Sequence, residues 1–229
     1  MRPPRAAAAG RRRDRGRRAL AALGTAGAAG TLDLYLVRHG ATEWSKSGQH
    51  TSRTDLPLTP DGEEEARRLG RLLQSVRFAA VYTSDMQRAR RTAELAGLKD
   101  LVVTPLLREF DYGEFEGLTT AGIRRSHPDW ELFWDGCPGG ETPDHVYARA
   151  QAFIELLRGK EGVVAAFSHG HFIRTLAVAW TELQVTAGAR LGLDTASVSI
   201  LIEGDRGRMI QRWNLVPEGS PAAVVTGPG

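Results

Sequence analysis

LDLYLVRHG, residues 32–40, is an almost unbroken apolar run that ends on an arginine, a histidine and a glycine. A run this short, closed by glycine, reads as a buried strand. Polar side chains at its end are costly to bury without partners. Either the core satisfies Arg38 and His39, or the strand carries them to a site.

Outward from this strand the chain alternates. TPDGEEEARRLGRLLQSV (59–76) opens with a threonine able to cap a helix, Pro60 in the first turn and early acids, then apolar residues at helical spacing. FAAVYTS (78–84) reads as a second strand and DMQRARRTAELAG (85–97) as a second helix, stopped by Gly97. LVVTP (101–105) is a third, short strand. Residues 105–142 are mixed, rich in aromatics and glycine, with a short helix near Thr119–Ser126. TPDHVYARAQAFIELLRG (142–159) is a helix, GVVAAFS (162–168) a strand and HFIRTLAVAWTEL (171–183) a helix. ASVSILIE (196–203) and RMIQRWNLV (208–216) read as a hairpin around GDRG. Such alternation predicts an α/β fold, a three-layer αβα sandwich with a largely parallel central sheet.

The 229 residues suffice for one domain with a sizeable core. The net charge of +3 is misleading, because residues 1–31 hold eight arginines and a single acid, Asp14. The remainder has 22 basic and 26 acidic residues and is formally −4. The basic character belongs to the tail, so no nucleic-acid partner is expected for the domain. Residues 1–30, an Ala/Gly/Arg segment with little to pack, are expected to be disordered. RRALAALGTAGAAG is acid-poor, as a targeting segment would be, but it is Ala/Gly-rich rather than Leu-rich and has no serine. The expected organisation is this extension, a domain over 31–218 and a flexible tail over 219–229. The lone Cys137 excludes an intramolecular disulfide framework and a thiolate metal cluster. No run approaches the length of a membrane-spanning helix, and a cytoplasmic location without a membrane partner is expected.

Ligands of such sheets collect beyond the carboxyl ends of the strands. Arg38-His39-Gly40 follows the first strand, Ser84 to Arg88 the second, Arg108-Glu109 the third and Ser168-His169-Gly170-His171 the fourth. Two histidines, two or three arginines and a carboxylate would therefore converge on one rim. Arginines at helix N-termini suit phosphate. A histidine among them could be a nucleophile, an acid or base, or a phosphate ligand. A neighbouring carboxylate can supply the proton a leaving alkoxide needs. These parts make a phosphoryl-transfer site that calls for no metal or other cofactor.

LVRHGATEW, TDLPLTPDG, SDMQRARRTAELAG, LREFDYGEFEGLT and FSHGHFIRTL occur in that order over most of residues 32–180. Together they resemble the histidine phosphatase family, also called the phosphoglycerate mutase-like family. The resemblance implies that His39 is the nucleophile that becomes phosphorylated and that Arg38, Arg88 and His169 grip the transferring group. It makes Glu109 the proton donor, and it places Ser45 and Thr51 where family members supply further phosphate contacts. Tyr112, Gly170 and His171 fall at the substrate wall. Ser52 stands where many members have glycine, so the pocket lining there departs from the family pattern.

Less specific readings compete. His39 could be a satisfied core histidine, the HGH of 169–171 a metal pair, and Arg88 a solvated residue like Arg90 and Arg91. Glu114 and Glu116 rival Glu109. Trp130, Phe133 and Trp134 could cap the mouth or merely pack, and Cys137 reads as a small residue in a Gly/Pro loop. Glu109 and His169 are only 60 residues apart, without the long insertion of mutases, which favours the phosphatase members of the family, closest to acid phosphatases and sedoheptulose-bisphosphatase-like enzymes. The expected activity is metal-independent hydrolysis of small phosphomonoesters, sugar phosphates first among them. The expected partner is a small phosphorylated metabolite, with oligomeric state left open. A mutase, or a non-catalytic member that binds phosphorylated ligands, is the alternative.

Overall fold

The computed structural model describes residues 31–204 and 207–218. The expectations for residues 1–30 and 219–229 lie outside them.

The opening stretch forms β1 (Leu32–Arg38), one of the two central strands of a six-stranded sheet ordered β3-β2-β4-β1-β5-β6. The others are β2 (Ala80–Thr83), β3 (Leu101–Val103), β4 (Gly162–Ser168), β5 (Val198–Gly204) and β6 (Gly207–Leu215). β3–β2, β2–β4 and β4–β1 pair in parallel, whereas β5 and β6 add an antiparallel hairpin on β1. The sheet is therefore largely parallel.

Successive side chains of a strand point to opposite faces, and β1 shows the consequence. Leu34 and Leu36 join one core with Phe153, Phe172 and Leu176, while Tyr35 and Val37 join a second with Leu69, Leu73 and Ala93. Burial on both faces is why β1 and β4 read as continuous apolar runs rather than alternating ones. The helices that cover the second core are α2 (Pro60–Leu73) and α3 (Gln87–Leu95). Those that cover the first are α6 (Pro143–Leu156) and α7 (Gly170–Trp180). Three layers result.

Caps set the helix starts. Thr59 Oγ1 accepts the Gly62 N–H ahead of α2, with Pro60 in the first turn, and Thr142 does the same for His145 ahead of α6. Three short helices complete the set: α1 (Glu43–Ser47), α4 (Thr120–Ile123) and α5 (Leu132–Asp135). Neither α1 nor α5 was legible in the sequence. α1 buries none of its residues, so it has no apolar stripe, and a capping box between Thr42 and Ser45 holds it instead. Among the described residues, no helix is long and apolar enough to cross a membrane.

Candidate active site

β1 and β4 are neighbours in register, with Arg38 opposite Ser168. The residues that follow each strand therefore emerge side by side. His39 N–H donates to Ser168 O at 3.0 Å, and the His39 and His169 rings meet edge-on with centroids 5.2 Å apart.

His39 is buried, and its Nδ1 lies 2.7 Å from the carbonyl oxygen of Gly40. A carbonyl can only accept, so Nδ1 carries the proton and Nε2 keeps a free lone pair. Burial first, then the Arg88 and Arg38 charges, holds the ring pKa well below 6.5, against the opposing pull of the Gly40 bond. His39 is a neutral imidazole at pH 7.

Arg88 is fully buried at 0% exposure, which rules out the solvated reading. Helical spacing turns Arg88 and Thr92 inward while Arg90 and Arg91 stay exposed. The Arg88 guanidinium donates to Thr54 O at 3.0 Å and to Thr51 O and Ser52 O at 3.2 Å. Its Nε lies 3.1 Å from His169 Nδ1. Because Arg88 can only donate, His169 Nδ1 is the acceptor and Nε2 carries the proton, which points to Ser84 Oγ at 2.9 Å. Burial first, then Arg88 and His39, keeps the His169 pKa well below 6.5.

Arg38 spends one nitrogen on Leu193 O at 2.5 Å, yet its buried Nε has no partner among the described residues. An unmet buried donor costs about 1–3 kcal/mol. Gly170 makes room for this guanidinium, since a Cβ there would sit 3.3 Å from Arg38 Nε.

Glu109 is buried at the start of α7. Its carboxylate accepts the N–H groups of Phe110 and Phe172 at 2.8 Å and of His171 at 3.1 Å. Three backbone donors fix its orientation beside Gly170. Burial works against the Arg38 and Arg88 charges, and Glu109 is the largest influence in their favour. The two rival glutamates have other surroundings. Glu114 is exposed, and Glu116 is bound to the N–H groups of Ser52 and Thr54 and to Ser52 Oγ.

The remaining expected residues divide. Ser52 Oγ accepts from Tyr112 N–H at 3.2 Å, so the departure from glycine ties two loops together. Tyr112 OH meets His171 Nδ1 at 2.6 Å, and burial first, then Glu109, raises the Tyr112 pKa well above 10. Ser45 caps α1 through Thr42, and Thr51 gives its carbonyl to Arg88 while its hydroxyl donates to Gln49 O. His169 and His171 bond different partners, and among the described residues no group of three or more His, Cys, Asp or Glu is placed to hold a metal ion.

Two residues escaped the sequence reading. His50 packs at a tilt on Tyr112 at 4.6 Å and on His171 at 5.8 Å and meets Trp130 edge-on at 5.6 Å; burial lowers its pKa to about 4. Arg174, one turn after His171, lies over the Phe133 ring at 4.8 Å and donates to Gly188 O. Its signal was an arginine inside an otherwise apolar helix face. Trp130 and Phe133 are buried in this aromatic cluster, whereas Trp134 is 51% exposed. Cys137 is buried and unpaired, and burial pushes its pKa up to about 12.

The sequence profile of the histidine phosphatase superfamily (branch 1) matches residues 34–216. An acid phosphatase of Mycobacterium tuberculosis is 42% identical over 171 residues, 73% of this chain and 84% of that protein. The sedoheptulose 1,7-bisphosphatase of Saccharomyces cerevisiae is 37% identical over 190 residues, 68% of this chain and 69% of that protein. The solved structure of open reading frame Rv3214 from Mycobacterium tuberculosis superposes with a TM-score of 0.77 at 39% identity, covering 80% of this chain and 97% of that one. With the profile spanning most of the chain and the strand-end residues gathered at one rim, the protein belongs to the histidine phosphatase superfamily.

Proposed function

We propose that the protein is a metal-independent phosphatase of small phosphomonoesters that works through a phosphohistidine on His39. The observation that carries this reading is the His39–Gly40 hydrogen bond, which leaves Nε2 unprotonated in a ring held neutral. The Nε2 lone pair forms the N–P bond as the P–O bond to the leaving group breaks. That bonding pair moves onto the leaving oxygen, which takes the proton that Glu109, entering the step as the neutral acid, carries. The ring keeps its Nδ1 proton and becomes cationic. Water then attacks phosphorus and gives a proton to Glu109, while the N–P electron pair returns to Nε2 and inorganic phosphate leaves. Dividing one hard displacement in two is the gain of covalent catalysis.

Charge on the equatorial oxygens needs preorganised donors. Arg38 supplies one in its Nε, which has no partner among the described residues and lies beside Gly170. Arg88 is held by three carbonyls and acts jointly with His169, whose tautomer it fixes. By the family resemblance, Ser45 and Thr51 add phosphate contacts, and Tyr112 and His171 line the substrate side. The likeness to an acid phosphatase and a sugar bisphosphatase supports phosphorylated sugars as the first substrates to test. The organisation proposed is a catalytic domain over 31–218, located in the cytoplasm.

The test is phosphate release from sugar phosphates, sugar bisphosphates, phosphoglycerates and nucleotides, with and without EDTA. Turnover of at least one sugar phosphate, unchanged by EDTA, is the expected result. Activity that disappears with EDTA and returns with one divalent ion would contradict it.

A further inference from the structure

Three consecutive glutamates, Glu63 to Glu65, follow Pro60-Asp61-Gly62 in α2, and they meet different fates. Glu63 pairs with Arg67 and Arg91, and Glu64 with Arg68. Glu65 is 7% exposed and has no ion pair among the described residues. A buried carboxylate without a cation is expensive unless hydrogen bonds compensate it. Its Oε2 accepts the N–H of Ala41 at 2.9 Å.

That N–H belongs to the peptide whose carbonyl oxygen, on Gly40, receives the proton of His39 Nδ1. In a trans peptide the N–H and C=O point in opposite directions. The Gly40–Ala41 unit thus lies between a carboxylate at one end and the imidazole at the other. Bonds in such a chain polarise one another, so the anion makes the Gly40 oxygen a better acceptor.

The surroundings leave this peptide little freedom. Gly40 N–H donates to Thr92 Oγ1, and Ala41 O accepts from Thr59 N–H. Gly40 and Gly62 pack so closely that a Cβ on Gly40 would fall 2.3 Å from Gly62 O. The start of α2, and with it Glu65, is locked against the turn that follows β1.

We propose that Glu65 is a positioning residue for His39, acting through the Gly40–Ala41 peptide to hold the proton on Nδ1 and leave Nε2 free to attack phosphorus. The inference rests on the reading of His39 as the nucleophile. It gives α2 a part in the reaction although none of its residues touches the reacting atoms. The same relay steadies the ring when it becomes cationic in the phosphoenzyme.

The test compares Glu65→Gln, which keeps an acceptor for Ala41 N–H, with Glu65→Ala and with Glu65→Leu, which fills the buried space should the alanine variant fail to fold. Phosphoenzyme formation is followed by rapid quench with p-nitrophenyl phosphate, and the His39 tautomer by ¹⁵N NMR. Glu65→Ala or Glu65→Leu should slow formation about 10- to 100-fold, the range a hydrogen bond to a charged group covers. The imidazole should become a mixture of tautomers in these variants, with little change in the affinity for vanadate. Glu65→Gln should recover most of the rate and the single tautomer. Wild-type rates and an unchanged tautomer in a folded Glu65→Ala or Glu65→Leu would overturn the proposal while leaving His39 in place. An adduct that persists in His39→Ala would instead reject the underlying reading, and Glu65 with it.

Discussion

Two halves of the rim are built differently. The half around His39, Arg38 and Arg88 is held by main chain: the carbonyls of Gly40, Leu193, Thr51, Ser52 and Thr54 accept from its side chains, and His169 is held in turn by Arg88 and Ser84. The half around His171 is held by rings: Tyr112, His50 and Phe133 each pack against His171, His50 also meets Tyr112 and Trp130, and Arg174 lies over Phe133. Backbone carbonyls cannot be substituted, so side-chain replacements in the loops that supply them leave the acceptors of the first half in place. The ring-built half can be reshaped one side chain at a time. The first suits invariant chemistry and the second a choice among substrates.

Glu109 stands between the two and offers the largest effect. Its Oε1 accepts from Phe110 and Phe172 and its Oε2 from His171, so Glu109→Gln can keep the first two bonds on its one oxygen while it loses the third and the acidic proton. A positioned general acid is worth about 10²–10⁴-fold. The variant should lose that much on a sugar phosphate, whose alkoxide leaves poorly. In a single-turnover burst with p-nitrophenyl phosphate it should lose far less. Equal slowing of both bursts would assign the acid elsewhere.

Arg174 probes the other half. Arg174→Met should lower kcat/KM for sugar bisphosphates relative to p-nitrophenyl phosphate by about tenfold, roughly the worth of one charged hydrogen bond. An identical fractional loss on both substrates would erase the distinction between the halves.

These contrasts also explain what could be read from sequence. Arg38, His39, Glu109 and His169 follow strands, and Arg88 lies in the first turn of a helix that follows one. Knowing that ligands gather at strand ends was enough to group them. His50 and Arg174 had no such marker. His50 lies in a loop between α1 and α2, and Arg174 sits in a helix whose residues after His171 otherwise read as core. Their proximity arises only when residues 110–137 fold over α7, through long-range aromatic contacts with no local period. α1 was invisible for the opposite reason, because it buries nothing.

The smallest effect concerns acidity. The unfolded chain protonates histidine near 6.5, whereas folded His50 does so only at about 4 because of burial. The unfolded state therefore binds more protons in that window, and stability rises with pH. The contribution is complete above pH 6.5 and is lost as pH falls from there towards 4. His39, His169 and His171 shift in the same direction, also chiefly through burial. The melting temperature should decline over that range, and His50→Asn should make the decline shallower. An unchanged slope in His50→Asn would mean that His50 is accessible to protons in the folded state.

The central claim is that His39 attacks through Nε2 while Nδ1 remains tied to Gly40. Quenching a single turnover with substrate, followed by peptide mapping and NMR of the adduct, tests it directly. The account predicts one base-stable, acid-labile phosphohistidine, on His39 and at Nε2. A phosphoryl group on His39 Nδ1, on His169 or on any other residue would contradict it.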